Sequence, residues 1–127
     1  VRLIDVFPTI SDYCSLKGST LKSEKGKNPN GFSLKPLVEK PDLETWTGPE
    51  EALTVVASWK SKLPEKQHIS IRTNRYRFIK YFDGSEELYD HNKDSNEWEN
   101  LAEDKDYREI VKEMRIRLQR RMDSYID

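Results

Sequence analysis

The 127-residue chain has one cysteine, two histidines and no long apolar run, and its charges nearly cancel. Each scarcity excludes something. Cys14 has no second cysteine to pair with in an internal disulfide, and with only two histidines it offers no zinc-type spacing. No apolar stretch approaches the roughly 20 residues that a bilayer-crossing helix needs, so no membrane-spanning helix is expected. With 22 basic and 23 acidic side chains the net charge is −1, and the overall balance gives no pull toward nucleic acid or an anionic membrane. Neither Gly26 nor Gly31 sits between a strand and a helix with the Lys-Ser/Thr of a phosphate loop. The opening residues, 1 to 5, lack the zones of a signal peptide. Equal hydrophobic and charged fractions, 35% each, describe one modest, surface-rich domain.

What is present is concentrated between His68 and Leu101. Ile69 and Ile71 alternate with Ser70 and Arg72. Tyr76, Phe78 and Phe82 then share one face of a run whose other face carries Arg77, Ile79 and Tyr81, the period of two of paired strands. Thr73, Asn74 and Arg75 span a hairpin, and Asp83-Gly84 tolerates the positive φ of a tight turn before a third strand, Glu86 to Asp90. The β-branched run from Leu53 to Trp59 supplies a fourth strand. Trp98 and Leu101 are the large apolar anchors of the turn-rich stretch that follows. A terminal helix carries Ile110, Val111, Met114, Leu118 and Met122 on one stripe, with Asp104 or Asp106 as its cap. Its arginines, Arg115, Arg117, Arg120 and Arg121, suit the negative end of a helix dipole. Lacking interleaved aromatics, they do not describe a nucleic-acid surface.

Before the sheet, Leu3, Val6, Phe7, Ile10, Tyr13 and Cys14 recur at helical intervals and predict a buried helix from about Phe7 to before Gly18, with Pro8 in its first turn. Residues 17–50, rich in Lys, Ser, Gly, Asn and Pro, read as an irregular, extended passage anchored by Phe32, Leu34, Leu37 and Val38. Lys17, Lys22, Lys25 and Lys27 read as solvated loop charges.

Candidate chemistry is sparse. Cys14 on an apolar stripe reads as a packed thiol rather than a nucleophile. His91, beside Asp90 and Asp94, reads as solvated or bonded to backbone rather than as a metal ligand. Glu86 and Glu87 point to opposite faces of a strand, so they cannot flank one bond as acid and base. Arg72, Arg75 and Arg77 are expected to pair with Glu86, Glu87 or Asp90 across the sheet. No catalytic and no metal-ligating residue is assigned.

Four ordered motifs carry a resemblance: Leu3-Ile-Asp-Val-Phe-Pro-Thr-Ile10, Gly31-Phe-Ser-Leu-Lys-Pro-Leu37, Ser70-Ile-Arg-Thr-Asn-Arg-Tyr-Arg-Phe-Ile-Lys-Tyr81, and Glu87-Leu-Tyr-Asp-His-Asn-Lys-Asp-Ser-Asn-Glu-Trp-Glu-Asn-Leu-Ala102. In this order they resemble the carboxy-terminal third of type I sulfatases of the alkaline phosphatase superfamily, nearest to the bacterial iduronate-2-sulfatase-like branch. The resemblance covers nearly the whole chain. It implies an α+β fold: a four-stranded antiparallel sheet packed against a C-terminal helix (51–127), preceded by a short helix and extended linker (1–50) that belong to the end of an α/β catalytic domain. It implies for the parent protein a sulfuric ester hydrolase acting on a sulfated sugar, with calcium and a formylglycine as cofactors, and an exported location, periplasmic or secreted.

The departures matter as much. The family's nucleophile motif is Cys or Ser-x-Pro/Ala-x-Arg, whereas Cys14 is followed by Ser15, Leu16, Lys17 and Gly18. The calcium and sulfate motifs of the family lie upstream of the region resembled, so the chain alone is expected to be inactive, with the N-terminal catalytic part of the same protein as its partner. A chain that starts inside the family pattern is expected to be a proteolytic product or a truncated form. The connector from Trp59 to His68 is the candidate rim of the substrate cleft, with Lys60, Lys62, Gln67 and His68 available to a carboxylate or sulfate on a sugar. Two other readings stay open: a free-standing carbohydrate-binding or interaction module, and part of a phosphodiesterase or phosphonate hydrolase of the same superfamily.

Overall fold

The computed structural model describes residues 2–16, 31–43, 46–57, 61, 63 and 66–126. The chain divides into two compact units, Val1–Glu50 and Glu51–Asp127.

In the first unit a 3-10 turn, Leu3–Asp5, runs into α1, Val6–Tyr13, with Pro8 early enough in the helix to cost no hydrogen bond. Asp5 organises what surrounds it. Its fully buried carboxylate accepts from the Arg2 N–H at 2.9 Å, from Nη2 of Arg2 at 2.9 Å and from the Phe32 N–H at 3.0 Å. Burial alone would raise the Asp5 carboxyl, but these bonds hold it below the usual carboxylate range. Thr9 adds a second staple, since its Oγ1 donates to the Asp5 carbonyl at 2.6 Å and accepts from the Leu34 N–H at 2.9 Å. Between them they lash residues 32–34 to α1. A Cβ on Gly31 would collide with the carbonyl of Ile4, so the approach depends on glycine there.

Two expectations change in this unit. Within residues 17–50 the KPLVE segment is not extended but a short helix, α2, Lys35–Glu39, with Pro36 in its first turn, where φ is already set and no N–H is needed. Helix α1 has no buried residue, and Cys14 is exposed rather than a packed thiol. Cys14 caps the helix, its N–H still reaching the Ile10 carbonyl at 2.9 Å, and it shares the exposure of the stripe it continues. Leu3, Val6, Phe7, Ile10 and Tyr13 likewise remain substantially exposed.

The second unit is an antiparallel sheet of strands β1, Ala52–Val56, β2, His68–Arg72, β3, Tyr76–Lys80, and β4, Glu86–Asp90, in the order β1-β2-β3-β4. Registers such as Leu53↔Ile71, Ile71↔Phe78 and Phe78↔Leu88 put one apolar row across all four strands. Against this row lies α3, Arg108–Ile126, through Val111, Met114 and Leu118, and the core is closed by Ile69 and Leu101. Ile110 and Met122 pack at its margin, completing the predicted stripe. Asp104 is the cap: its carboxylate accepts from the Asp106 N–H at 2.9 Å, opening the turn Lys105–Tyr107 that leads into α3.

Each hairpin is closed as its sequence predicts. Thr73 N–H reaches the Tyr76 carbonyl at 2.8 Å, and Gly84 sits at φ 89° in the turn before β4. The edge strand β4 is covered by the returning chain. Asn100 Oδ1 accepts from the Leu88 N–H at 3.0 Å, and the Leu101 N–H reaches the Leu88 carbonyl at 2.8 Å, which occupies backbone groups that an open edge would present.

The sheet corrects three further expectations. Strand β3 ends at Lys80, so Phe82 falls in the following turn, largely exposed, and not on the core face. Trp98 is 85% exposed and anchors nothing, while Leu101 does so alone. The arginines of α3 do not serve the helix end, because its last turn holds no basic residue. Arg115 instead pairs with Glu86 at 2.6 Å, and Arg117 with Glu51 at 2.9 Å and Glu113 at 2.8 Å.

Candidate functional site

Strand alternation that sends Leu53, Ile71, Phe78 and Leu88 to the helix sends their neighbours to the opposite face. That face holds a groove of about 410 Å3. Strand β1 gives it Thr54 and Val56, β2 gives His68 and Ser70, and β3 gives Arg77 and Ile79, with Tyr81 just beyond. The pairs Val56↔His68, Thr54↔Ser70 and Ser70↔Ile79 set these side chains in adjacent rows. His68 is held by rings: its centroid lies 5.4 Å from that of Tyr81 and 5.2 Å from that of Phe82, both edge to face. Its Nδ1 is buried without a hydrogen-bond partner, and so is Nε of Arg77.

An ionic cluster borders the Arg77 end. Glu97 accepts from Nη1 of Arg77 at 2.8 Å, meets Nε2 of His91 at 2.7 Å and lies 3.7 Å from Nη1 of Arg72, which also contacts the His91 ring. The sequence expectation that these arginines pair with Glu86, Glu87 or Asp90 is thus overturned for Arg72 and Arg77, which meet Glu97. Glu86 is taken by Arg115, and Glu87 accepts from the Tyr81 hydroxyl at 3.0 Å. Arg75 does pair with a strand carboxylate. It grips Asp90 at 2.9 and 2.7 Å, and that forked bond, helped by the Asn92 N–H, holds the buried Asp90 carboxyl below the usual range against the effect of burial. His91, expected to be solvated or bonded to backbone, instead has its ring engaged by side chains, because the following loop brings Glu97 to it beside Arg72. Glu97 manages this with a φ of 60°, a left-handed backbone uncommon for a glutamate. Nothing in the local sequence signals that conformation. Tyr89, on the same face, has its hydroxyl pushed up to about 12 by burial and then by neighbouring Glu87.

Of the four residues singled out in the sequence, Lys60 and Lys62 lie outside the described residues. Gln67 is buried, and its Nε2 donates to the carbonyls of Ser61 at 2.8 Å and Leu63 at 3.0 Å, so its amide donors hold the connector in place. His68 lines the groove. Arg77, Ser70 and Thr54 join it there and were not singled out, although the period of two places all of them on the face of His68.

Among the described residues no group of three or more His, Cys, Asp or Glu is placed to hold a metal ion. With the mismatched sequence after Cys14, calcium and formylglycine find no fitting set of side chains among the described residues, and no chemical step is drawn through them. Among the described residues no helix is long and apolar enough to cross a membrane.

Comparison with known proteins connects this architecture to enzymes. The chain is 33% identical over 129 residues to the Delta 4,5-hexuronate-2-O-sulfatase of Bacteroides thetaiotaomicron, matching 97% of this chain and 23% of that protein. A solved 2-O glycosaminoglycan sulfatase superposes with a TM-score of 0.72 at 26% identity, over 97% of this chain and 25% of that one. A structure solved with its substrate D-glucosamine-2-N,6-O-disulfate reaches 0.76 at 23% identity, over 97% and 24%. The fold alone is also shared with the phosphonate monoester hydrolase of Agrobacterium radiobacter, at 0.63 and 23% identity, over 91% and 23%. The chain therefore spans about a quarter of the length of the relatives it matches. The family model described as N-sulphoglucosamine sulphohydrolase, C-terminal, matches residues 1–124, and the chain belongs to that family.

Proposed function

We propose that this chain serves as the C-terminal part of a sulfatase that hydrolyses sulfate esters of a sugar, completing the fold while the catalytic residues reside in the rest of a longer protein. The observation that carries this reading is the match to a sulfatase C-terminal family along residues 1–124, joined to a 33% identical relative that is a hexuronate 2-O-sulfatase. Residues 1–50 are assigned to the end of the catalytic domain and 51–127 to the C-terminal subdomain. Calcium and formylglycine belong to the missing part, and the whole protein is exported, periplasmic or secreted. Sulfate-ester cleavage needs an activated oxygen nucleophile, concentrated positive charge around the sulfuryl oxygens and an acid for the leaving group. No set of described residues converges in that way.

Within this assignment the connector ending at His68 forms a rim of the substrate cleft. Lys60, Lys62 and His68 meet an anionic sugar, and Gln67 holds the connector's backbone for them. Intact mass of the natural protein, with a search of its sequence for Cys or Ser-x-Pro/Ala-x-Arg, tests the proposal. A complete natural protein of this length alone, with no such motif in a companion chain, refutes it. The likeness to a phosphonate monoester hydrolase favours one other reading, a phosphoryl hydrolase of the same superfamily. Parallel assays on aryl sulfate and aryl phosphodiester separate the two.

A further inference from the structure

We infer that His91 is a proton-operated switch in the loop that follows β4, residues 91–100. With its ring neutral it accepts a hydrogen bond from Arg72 and ties the loop to β2; with its ring protonated it donates to Glu97 and releases Arg72. The device stands apart from the sulfatase reading, since every group in it belongs to the second unit of this chain.

The geometry at one nitrogen decides this. Nε2 of His91 contacts Nη1 of Arg72 and lies 2.7 Å from Oε1 of Glu97. A guanidinium only donates, an ionised carboxylate only accepts, and an imidazole nitrogen does one or the other. The two contacts are therefore alternatives, and a proton on Nε2, taken from water, selects between them. The His91 side chain is 15% exposed, which leaves it open to proton exchange while its neighbours hold it. Its backbone is fixed by the bond from the His91 N–H to the Arg75 carbonyl at 2.8 Å. Glu97 lies 3.7 Å from Nη1 of Arg72, but once His91 is protonated both of its oxygens are committed, Oε1 to His91 and Oε2 to Arg77 at 2.8 Å. Arg72 keeps only the bond from its Nε to the Thr73 carbonyl at 3.2 Å, so its head swings free. The loop's frame is independent of the switch, because Asp94 accepts from the N–H groups of Asn96 and Glu99 at 3.2 and 2.9 Å. Between about pH 5 and 8, the range in which histidine changes charge, the nearby acids keep theirs. Arg75 holds the Asp90 carboxyl below the usual range, and backbone N–H groups, that of Glu99 first, do the same for Asp94. Burial keeps the Tyr89 hydroxyl, which also feels Glu97, at about 12. Acidification thus exchanges a tie between loop and sheet for one inside the loop.

The test is a pH titration of the full isotope-labelled chain from about pH 8 to about pH 5, following the histidine ring and arginine guanidinium signals by NMR. The neutral His91 ring is expected as the Nδ1–H tautomer, with Arg72 N–H signals that are resolved and slow to exchange with water. On acidification a proton appears at Nε2 of His91, and the Arg72 signals are lost to fast exchange with the same midpoint, while those of Arg77 persist. In Arg72→Met, a change at a partly exposed side chain, the neutral ring should turn to the Nε2–H tautomer and donate to Glu97 across the whole range. An Nε2–H neutral tautomer in the natural chain, Arg72 signals indifferent to the titration of His91, loss of the Arg77 signals together with those of Arg72, or an Nδ1–H tautomer in Arg72→Met would each overturn the inference.

Discussion

Glu97 combines an unfavourable backbone with favourable side-chain contacts, and the two can be separated by substitution. Its φ of 60° is a conformation that costs a residue with a Cβ about 1 kcal/mol relative to glycine. Its carboxylate makes short contacts with Arg77 at 2.8 Å and His91 at 2.7 Å. The side chain of Glu97 is 21% exposed and that of Arg77 38%, so solvent screening reduces the value of these contacts to about 1–2 kcal/mol together. Glu97→Ala loses the contacts and keeps the strain, and should destabilise the second unit by about 1–2 kcal/mol. Glu97→Gly loses the same contacts but relieves the strain, and should fall within about 1 kcal/mol of the natural chain. Urea denaturation of the three proteins, followed by tyrosine and tryptophan fluorescence, gives both differences. Equal midpoints for the alanine and glycine variants would refute the backbone part of the reasoning; an unchanged midpoint for Glu97→Ala would refute the ionic part.

Two other outcomes follow from the packing and the buried carboxylates. Phe78→Ala empties the centre of the row formed by Ile71, Phe78 and Leu88, where all three are fully buried, and should cost about 3–5 kcal/mol by thermal or urea unfolding. A loss below about 1 kcal/mol would contradict that core. Asp90 has a carboxyl held below its unfolded value of about 3.9, so its contribution to stability is complete above that pH and disappears as pH falls through the lower folded value. Asp90→Asn should therefore be less stable than the natural chain at neutral pH, with the gap narrowing below about pH 4; a gap that is the same at neutral and acid pH would show that the carboxylate charge is not what matters.

The parts of this fold that were legible in the sequence are those where one residue's environment follows from its neighbours in the chain. Strict alternation through Ile69, Ile71 and Phe78 fixed both faces of the sheet, and Gly84 marked its turn. Spacing through Val111, Met114 and Leu118 fixed the helix that covers it. Alternation overran at Phe82 because a period says where side chains point only while the strand continues. The ionic partner of Arg72 and Arg77 is hidden from the sequence for a different reason. Strand spacing points to cross-strand carboxylates, but Glu97 arrives from a loop through its own left-handed backbone, which no local pattern announces. Asp5 is similar: its bond to the Phe32 N–H joins two sequence motifs that are far apart in the chain, and only the folded first unit shows why they accompany each other. For the candidate site, His68 could be singled out from its place at the end of the connector. Ser70 follows one row along the same face, and strand register sets Arg77 opposite Arg72, a further row on.

The central claim is that the chain completes a sulfatase. It is tested most directly by measuring inorganic sulfate released from a sulfated hexuronate or glucosamine by the longest natural protein that contains residues 1–127. The account predicts sulfate release that is lost when the upstream nucleophile is replaced, and none from the 127-residue chain alone. Hydrolysis of an aryl phosphodiester or phosphonate without any release of sulfate would contradict it.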